Sequence, residues 1–147
     1  MATFTASQQT SEVKNHATGV IAAVGNLTAV SATGTASSVF YLVKVPLGAT
    51  IVDFMWTGED GGANQTYKLG LRLPISDTWT VTESILSGDL SFTAGQSHRG
   101  TNAKLPVKVT LTDNHTNTYA WVQAVASAAI SATASHKLTV FYTMDQS

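Results

Sequence analysis

Residues 39–56 read VFYLVKVPLGATIVDFMW, and their reading decides the fold. Two apolar runs, 39–45 and 49–56, are separated only by Pro46-Leu47-Gly48. Proline presets φ for the second position of a β-turn, and glycine is favoured at the fourth. The runs carry Val, Phe, Tyr, Ile and Trp, which suit a pleated, half-buried surface. The expectation is strand, tight turn, strand: a hairpin. Its first strand is apolar on both faces, with Phe40 and Leu42 opposite Val39, Tyr41 and Val43. A strand without a wet face is central in its sheet and covered on both sides. That predicts a second cover from the chain's own arm, from a long loop or from another subunit.

Outward from this stretch, the same grammar repeats. Residues 66–73 alternate Tyr67, Leu69, Leu71 and Leu73 against Lys68, Gly70 and Arg72, a period of two with one wet face. Pro74 is expected to end that strand. Residues 78–86 (TWTVTESIL) give another, with Trp79, Val81 and Ile85 on its buried side. Residues 104–112 place Leu105, Val107, Val109 and Leu111 inward, and Pro106 either assigns that strand to an edge or stands at its start. Residues 118–125 (TYAWVQAV) and 137–144 (KLTVFYTM) complete the set, the latter with Leu138, Val140 and Tyr142 inward. Residues 18–32 are Ala-rich, but Gly19, Gly25, Thr28 and Val30 argue for a long strand bent at Gly25-Asn26 rather than a helix. Residues 87–103, rich in Gly, Ser and Thr, read as a long loop with one short strand. About eight strands and no helix predict an all-β, two-sheet antiparallel β-sandwich, with a jelly roll as the expected form and an immunoglobulin-like sandwich, here without its Cys–Trp–Cys hallmark, as the runner-up.

Residues 1–17 form a polar N-terminal arm before a single β-sandwich domain, 18–147. Phe4 and Val13 are its large apolar groups beyond Met1. Such an arm orders only when something binds it, so Phe4 is a candidate anchor.

The 147-residue chain is 44% apolar, enough for one core, yet only 12% charged, about half the usual share. Ser and Thr supply roughly a quarter of the residues. Hydroxyl-rich, weakly charged faces repel neighbours little and suit a protein that lives in an assembly. A net charge of −1 without a Lys/Arg run lacks the electrostatic footprint of a nucleic-acid binder. There is no Cys, hence no disulfide framework or thiolate metal site. No stretch has the ~20 apolar residues of a membrane helix. The first residues lack the apolar core of a signal peptide, so cytoplasmic synthesis is expected.

Chemical motifs are scarce. His16, His98, His115 and His136 are scattered and expected to face solvent, with no pair spaced for one strand face. Asp53, inside an apolar strand, is expected on the outer sheet face with Ile51 and Met55, paired with Lys or Arg of a neighbour. A hydrolase using Asp53 with Glu83 or Asp89 has no motif behind it. Glu59, Asp60, Asp77, Glu83 and Asp89 form no ordered Ca²⁺ loop. Trp56, Trp79, Trp121, Tyr41, Tyr67 and Tyr119 lie among aliphatic residues, which favours core positions over a sugar-stacking platform. No catalytic, cofactor or metal site is expected.

The texture of the chain carries a resemblance. The segments KVPLGATI (44–51) and LTVFYT (138–143), with TYKLGLRL and YAWVQAV between them, resemble capsid decoration (cement) proteins of tailed bacteriophages with a jelly-roll-like β-sandwich. That resemblance implies a non-enzymatic virion protein on the outer capsid surface. Such proteins sit over contacts between major capsid protein subunits, often as trimers. Phe4, Val13, Phe40, Leu42, His98 and Arg99 are the residues expected at subunit or capsid contacts. The alternative is a receptor- or carbohydrate-binding module of a tail fibre or capsid vertex.

Overall fold

Period-two alternation and a high share of β-branched and aromatic residues leave the backbone little choice but the extended region. A computed structural model describes residues 3–8, 20–30, 38–59, 65–75, 78–92, 97–100, 104–109, 119–127 and 134–144. Seven long strands and four short ones occur there. They are β1 (Thr3–Thr5), β2 (Ser7–Gln8), β3 (Val20–Val30), β4 (Val39–Pro46), β5 (Ala49–Gly58) and β6 (Tyr67–Ile75). After these come β7 (Thr78–Leu90), β8 (Ser97–Arg99), β9 (Val107–Lys108), β10 (Tyr119–Ala126) and β11 (Ala134–Met144). No helix occurs among the described residues. A five-stranded sheet has the order β1-β4-β10-β6-β7, and a six-stranded sheet the order β2-β3-β11-β5-β8, with β9 also on β5. Every pairing is antiparallel except β1 with β4. The β-sandwich expected from the sequence is what forms.

The expected hairpin is not. β4 belongs to the five-stranded sheet and β5 to the six-stranded one, so the chain crosses the sandwich at Leu47-Gly48. Gly48 has φ 89°, and a positive φ at the second central residue alone belongs to a turn that splays two strands instead of twisting them together. Val109 secures this crossing from outside. It accepts the Gly48 N–H at 2.7 Å and donates its own N–H to the Ala49 carbonyl at 2.7 Å.

The two-faced apolar reading of β4 has a different cause from a second cover. Against β10, Val43 pairs with Val122 and Tyr41 with Gln123, leaving Leu42 as an extra residue in β4. A bulge of this kind reverses which parity points inward. Phe40 and Leu42 before it, and Val43 and Val45 after it, therefore all reach the same core. β5 repeats the device. Asp53 pairs with Phe141 and Ile51 with Tyr142, so Val52 is extra. Ile51 is buried on one side of the bulge and Phe54 and Trp56 on the other, while Val52 turns outward. Ile51 thus faces the core and does not share the outer face with Asp53 and Met55.

Elsewhere the differences are smaller. β3 pairs with β11 without a break through Gly25 and Asn26, and the register shift lies opposite Ala134–His136 instead. β6 runs through Pro74, beyond Arg72 where its pairing with β10 stops; β7 extends to Leu90. Between Leu69 and Leu71 of β6, the partners on β7 are Ser87 and Thr82. That irregularity leaves Val81 38% exposed and gives the core Leu86 instead. Phe92, assigned to the loop, is fully buried. β9 is an edge as Pro106 predicts, though only two residues long.

Within the expected arm, residues 3–8 pair as two short strands on the chain's own sheets. β1 adds to the edge strand β4, β2 adds to β3 in the other sheet, and Ala6 turns the corner between them. The Ala6 N–H donates to the Tyr41 carbonyl at 2.8 Å. Phe4 lies edge-on to Phe40, with ring centroids 5.3 Å apart.

Candidate functional site

Both sheets present an outer face, and the two differ in chemistry. On the five-stranded sheet, β10 points Ala120, Val122 and Ala124 inward, which by alternation turns Tyr119 and Trp121 out. Register places Lys44 and Arg72 on either side of Trp121. The result is a continuous ladder. Arg72 lies over the Tyr41 ring at 5.4 Å, and Tyr41 stacks on Trp121 at 5.5 Å. Lys44 sits over Trp121 at 5.2 Å and over Tyr119 at 4.6 Å. The expectation of core aromatics therefore holds for Trp56 and Tyr67 but not for Tyr41, Tyr119 and Trp121. Of Trp79 only the backbone lies within the described residues. Each of the Tyr41, Tyr119 and Trp121 rings has a cation over one face.

The outer face of the six-stranded sheet is mixed: Lys137, Thr139 and Thr143 flank Phe141 on β11, with exposed apolar side chains among them. Val20 is 62% exposed, and Val52 and Met55 are 38% exposed. Phe141 stands half-buried between Ala22 and Asp53 in the register. Asp53 closes one side of this face. Arg99 on β8 forms an ion pair with it. Its Oδ1 accepts the Phe54 N–H at 2.8 Å and the Gly100 N–H at 3.1 Å. Burial works to raise the pKa of this carboxyl. The hydrogen bond from Arg99, the Phe54 and Gly100 amides and the guanidinium charge outweigh it and hold the group below the ordinary carboxylate range. Such a carboxylate is kept ionised and positions a strand; it is poorly suited to proton transfer.

His136 is the histidine that departs from the solvent-facing expectation. It is buried among Tyr67, Phe92, Phe40 and Trp56, with ring centroids 5.1, 5.2, 5.5 and 5.8 Å away. Neither ring nitrogen has a hydrogen-bond partner among the described residues. Burial pushes its pKa down to about 4, against a weaker opposing pull from the Glu59 charge. A Cβ on Gly58 would stand 2.4 Å from His136 Nδ1, so glycine is required beside the imidazole. Next to it a groove of about 420 Å³ opens between β3, β5 and β11, lined by Asn26, Thr57, Glu59, Ser135 and Lys137 among others.

The residues expected at contacts are thus distributed unevenly. Phe4 is half-buried against Phe40, while Phe40 and Leu42 are 1% and 0% exposed within the chain's own core. Arg99 is exposed beside Asp53. His98 is half-buried, its Nε2 2.5 Å from the Ser91 carbonyl and its ring edge-on to Phe92. Val13, His16 and His115 lie outside the described residues. No three His, Asp or Glu side chains converge as a metal site among the described residues.

No family model matches the chain, and no curated protein matches it. Solved structures do. A chain of the capsid of Ralstonia phage GP4 superposes with a TM-score of 0.68 at 16% identity, over 95% of this chain and 93% of that one. The chain shares its fold with phage capsid components. A chain of the cyanophage Pam1 capsid gives 0.55 at 17% identity, covering 92% of each. One from the acid-stable capsid of Helicobacter pylori bacteriophage KHP30 gives 0.56 at 14% identity, covering 95% of each.

Proposed function

We propose that this chain is a structural protein of a bacteriophage virion that binds the outer capsid surface. There it stabilises contacts between major capsid protein subunits, as a decoration or cement protein. The observation that carries the reading is the end-to-end likeness to chains of phage capsids: nearly the whole of each chain superposes, not a shared motif. The surface chemistry supports it. Trp, Tyr and Arg are the residues that dominate binding hot spots, and the ladder on the five-stranded sheet packs Tyr41, Trp121 and Arg72 against one another. Side chains already packed together lose less entropy when a partner covers them. We assign this face to the capsid. The role is non-enzymatic: Asp53 spends its carboxylate on Arg99 and two amides, and His136 is sealed among aromatic rings.

The test is the composition of purified heads. The chain should co-sediment with intact heads at hundreds of copies per particle. Its absence from washed heads, or a handful of copies per particle, rejects the decoration role.

A further inference from the structure

The sheet edges of this chain are blunted, with one exception. An edge strand carries a row of unpaired N–H and C=O groups, and proteins guard such rows with very short strands, Lys or Pro. β1 lies outermost beside β4, β2 outermost beside β3, and β8 and β9 outermost on β5. Each is two or three residues long. The remaining edge is β7, thirteen residues long, with neither Lys nor Pro between Thr78 and Leu90. Among the described residues it pairs with β6 alone.

Part of that edge is regular. Thr78–Thr82 pair in unbroken antiparallel register with Ile75–Leu71 of β6, and the register then shifts before Ser87. In such a ladder every second residue turns its N–H and C=O away from the partner strand. Five residues span about 17 Å, the length of an ordinary strand, and the irregularity over 83–86 closes the run. The complement of donors and acceptors alternating along a strand edge is another extended backbone.

The position of β7 in its sheet points to the source of that backbone. Val81 is the register partner of Arg72, so both stand on the outer face, where Val81 is 38% exposed. Arg72 lies over Tyr41 at one end of the aromatic ladder. The face assigned above to the capsid therefore runs from β10 through β6 to the open edge without an intervening strand. A partner that covers Trp121 and Arg72 arrives beside β7.

We propose that β7 takes up an extended segment of the major capsid protein along Thr78–Thr82, as a sixth strand of the five-stranded sheet. The residue of that segment set beside Val81 is apolar, since β-branched side chains pair best with apolar neighbours across a ladder. The inference rests on the capsid reading and adds to it a backbone contact that the side-chain ladder does not provide.

Backbone amide exchange tests it, with the full chain free and bound to heads stripped of it. On binding, exchange should slow at least tenfold at alternate amides of Thr78–Thr82, those turned away from β6, and change little in β11. A chain that binds heads while residues 78–82 exchange as in the free protein keeps the capsid reading and overturns the pairing. A chain that does not bind heads overturns both. Protection of 78–82 already present in the free protein at tens of micromolar, and lost on dilution, assigns the edge to a second copy and also overturns the proposal. Val81→Lys sets a charge on an exposed position of the edge and leaves the core untouched. It should melt like the unmodified chain and bind stripped heads at least tenfold more weakly; undiminished binding rejects the pairing.

Discussion

Gly25 and Leu42 bring the backbones of the two sheets into direct contact: a Cβ on Gly25 would stand 1.8 Å from the Leu42 carbonyl oxygen and 2.9 Å from its carbon. β3 and β4 belong to different sheets, so this is backbone against backbone across the sandwich. The bulge at Leu42 brings that carbonyl to β3, and glycine opposite makes the approach possible.

Gly25→Ala should therefore be among the most damaging single-methyl substitutions in the chain. No side-chain rotation relieves a clash with a carbonyl, so the sheets must separate. A loss of about 3 kcal/mol is expected, read in urea unfolding as a lower midpoint with an unchanged slope. A shift within about 0.5 kcal/mol would mean that the sheets do not meet there.

Acid should weaken the fold through His136. Its folded pKa is lowered from 6.5 to about 4. Above pH 6.5 both states hold a neutral imidazole and stability is complete. As pH falls toward 4, the unfolded chain takes up a proton that the folded one refuses, and stability drops by roughly 3 kcal/mol. His136→Phe keeps a ring in the aromatic cluster and should flatten this part of the profile. Equal slopes for the two proteins between pH 6.5 and 4 would refute it.

Asp53→Ala should loosen β8. The Phe54 and Gly100 amides lose a charged acceptor and Arg99 loses its counter-ion, at a cost of about 1–2 kcal/mol. Hydrogen exchange at Gly100 should accelerate more than exchange in β11. Because the folded pKa of Asp53 is lowered, its contribution is complete above the ordinary carboxylate range and disappears as pH falls through the folded value. The penalty of the substitution should shrink accordingly in acid.

Trp121→Ala removes the rung that Tyr41 and Lys44 share. Binding to heads stripped of the protein should weaken at least tenfold, about 1.4 kcal/mol, with the fold retained by circular dichroism. Undiminished binding would move the capsid contact to another face.

Much of this architecture is legible in the chain. Tyr67, Leu69 and Leu71, like Leu138, Val140 and Tyr142, announce strands with one buried face, and all six are buried. Extending the second series back by two residues puts His136 inside, and the alternation of Ala120, Val122 and Ala124 turns Trp121 outward; both readings were available from parity alone. The bulges were not. Neither Leu42 nor Val52 is a residue type that marks a bulge, so parity inferred across them inverts. Nor could Pro46-Leu47-Gly48 tell a hairpin from a crossing, because turn residues encode a reversal of direction and not the partner of the strand that follows. The ring cluster around His136 draws on positions 40, 56, 67 and 92, which no local pattern connects.

The strand order also governs how this chain can be made. β11 lies between β3 and β5 in the six-stranded sheet, yet more than seventy residues separate it from β5 in sequence. While the ribosome is still working on residues 119–126, β3 and β5 have no common neighbour and their apolar sides have nothing to close on. Sheets joined by such distant segments fold slowly, on the millisecond-to-second scale. Folding thus waits for the last strand, and a product that stops before residue 134 has no six-stranded sheet to offer a partner. Incompletely translated chains are kept from the finished fold by topology.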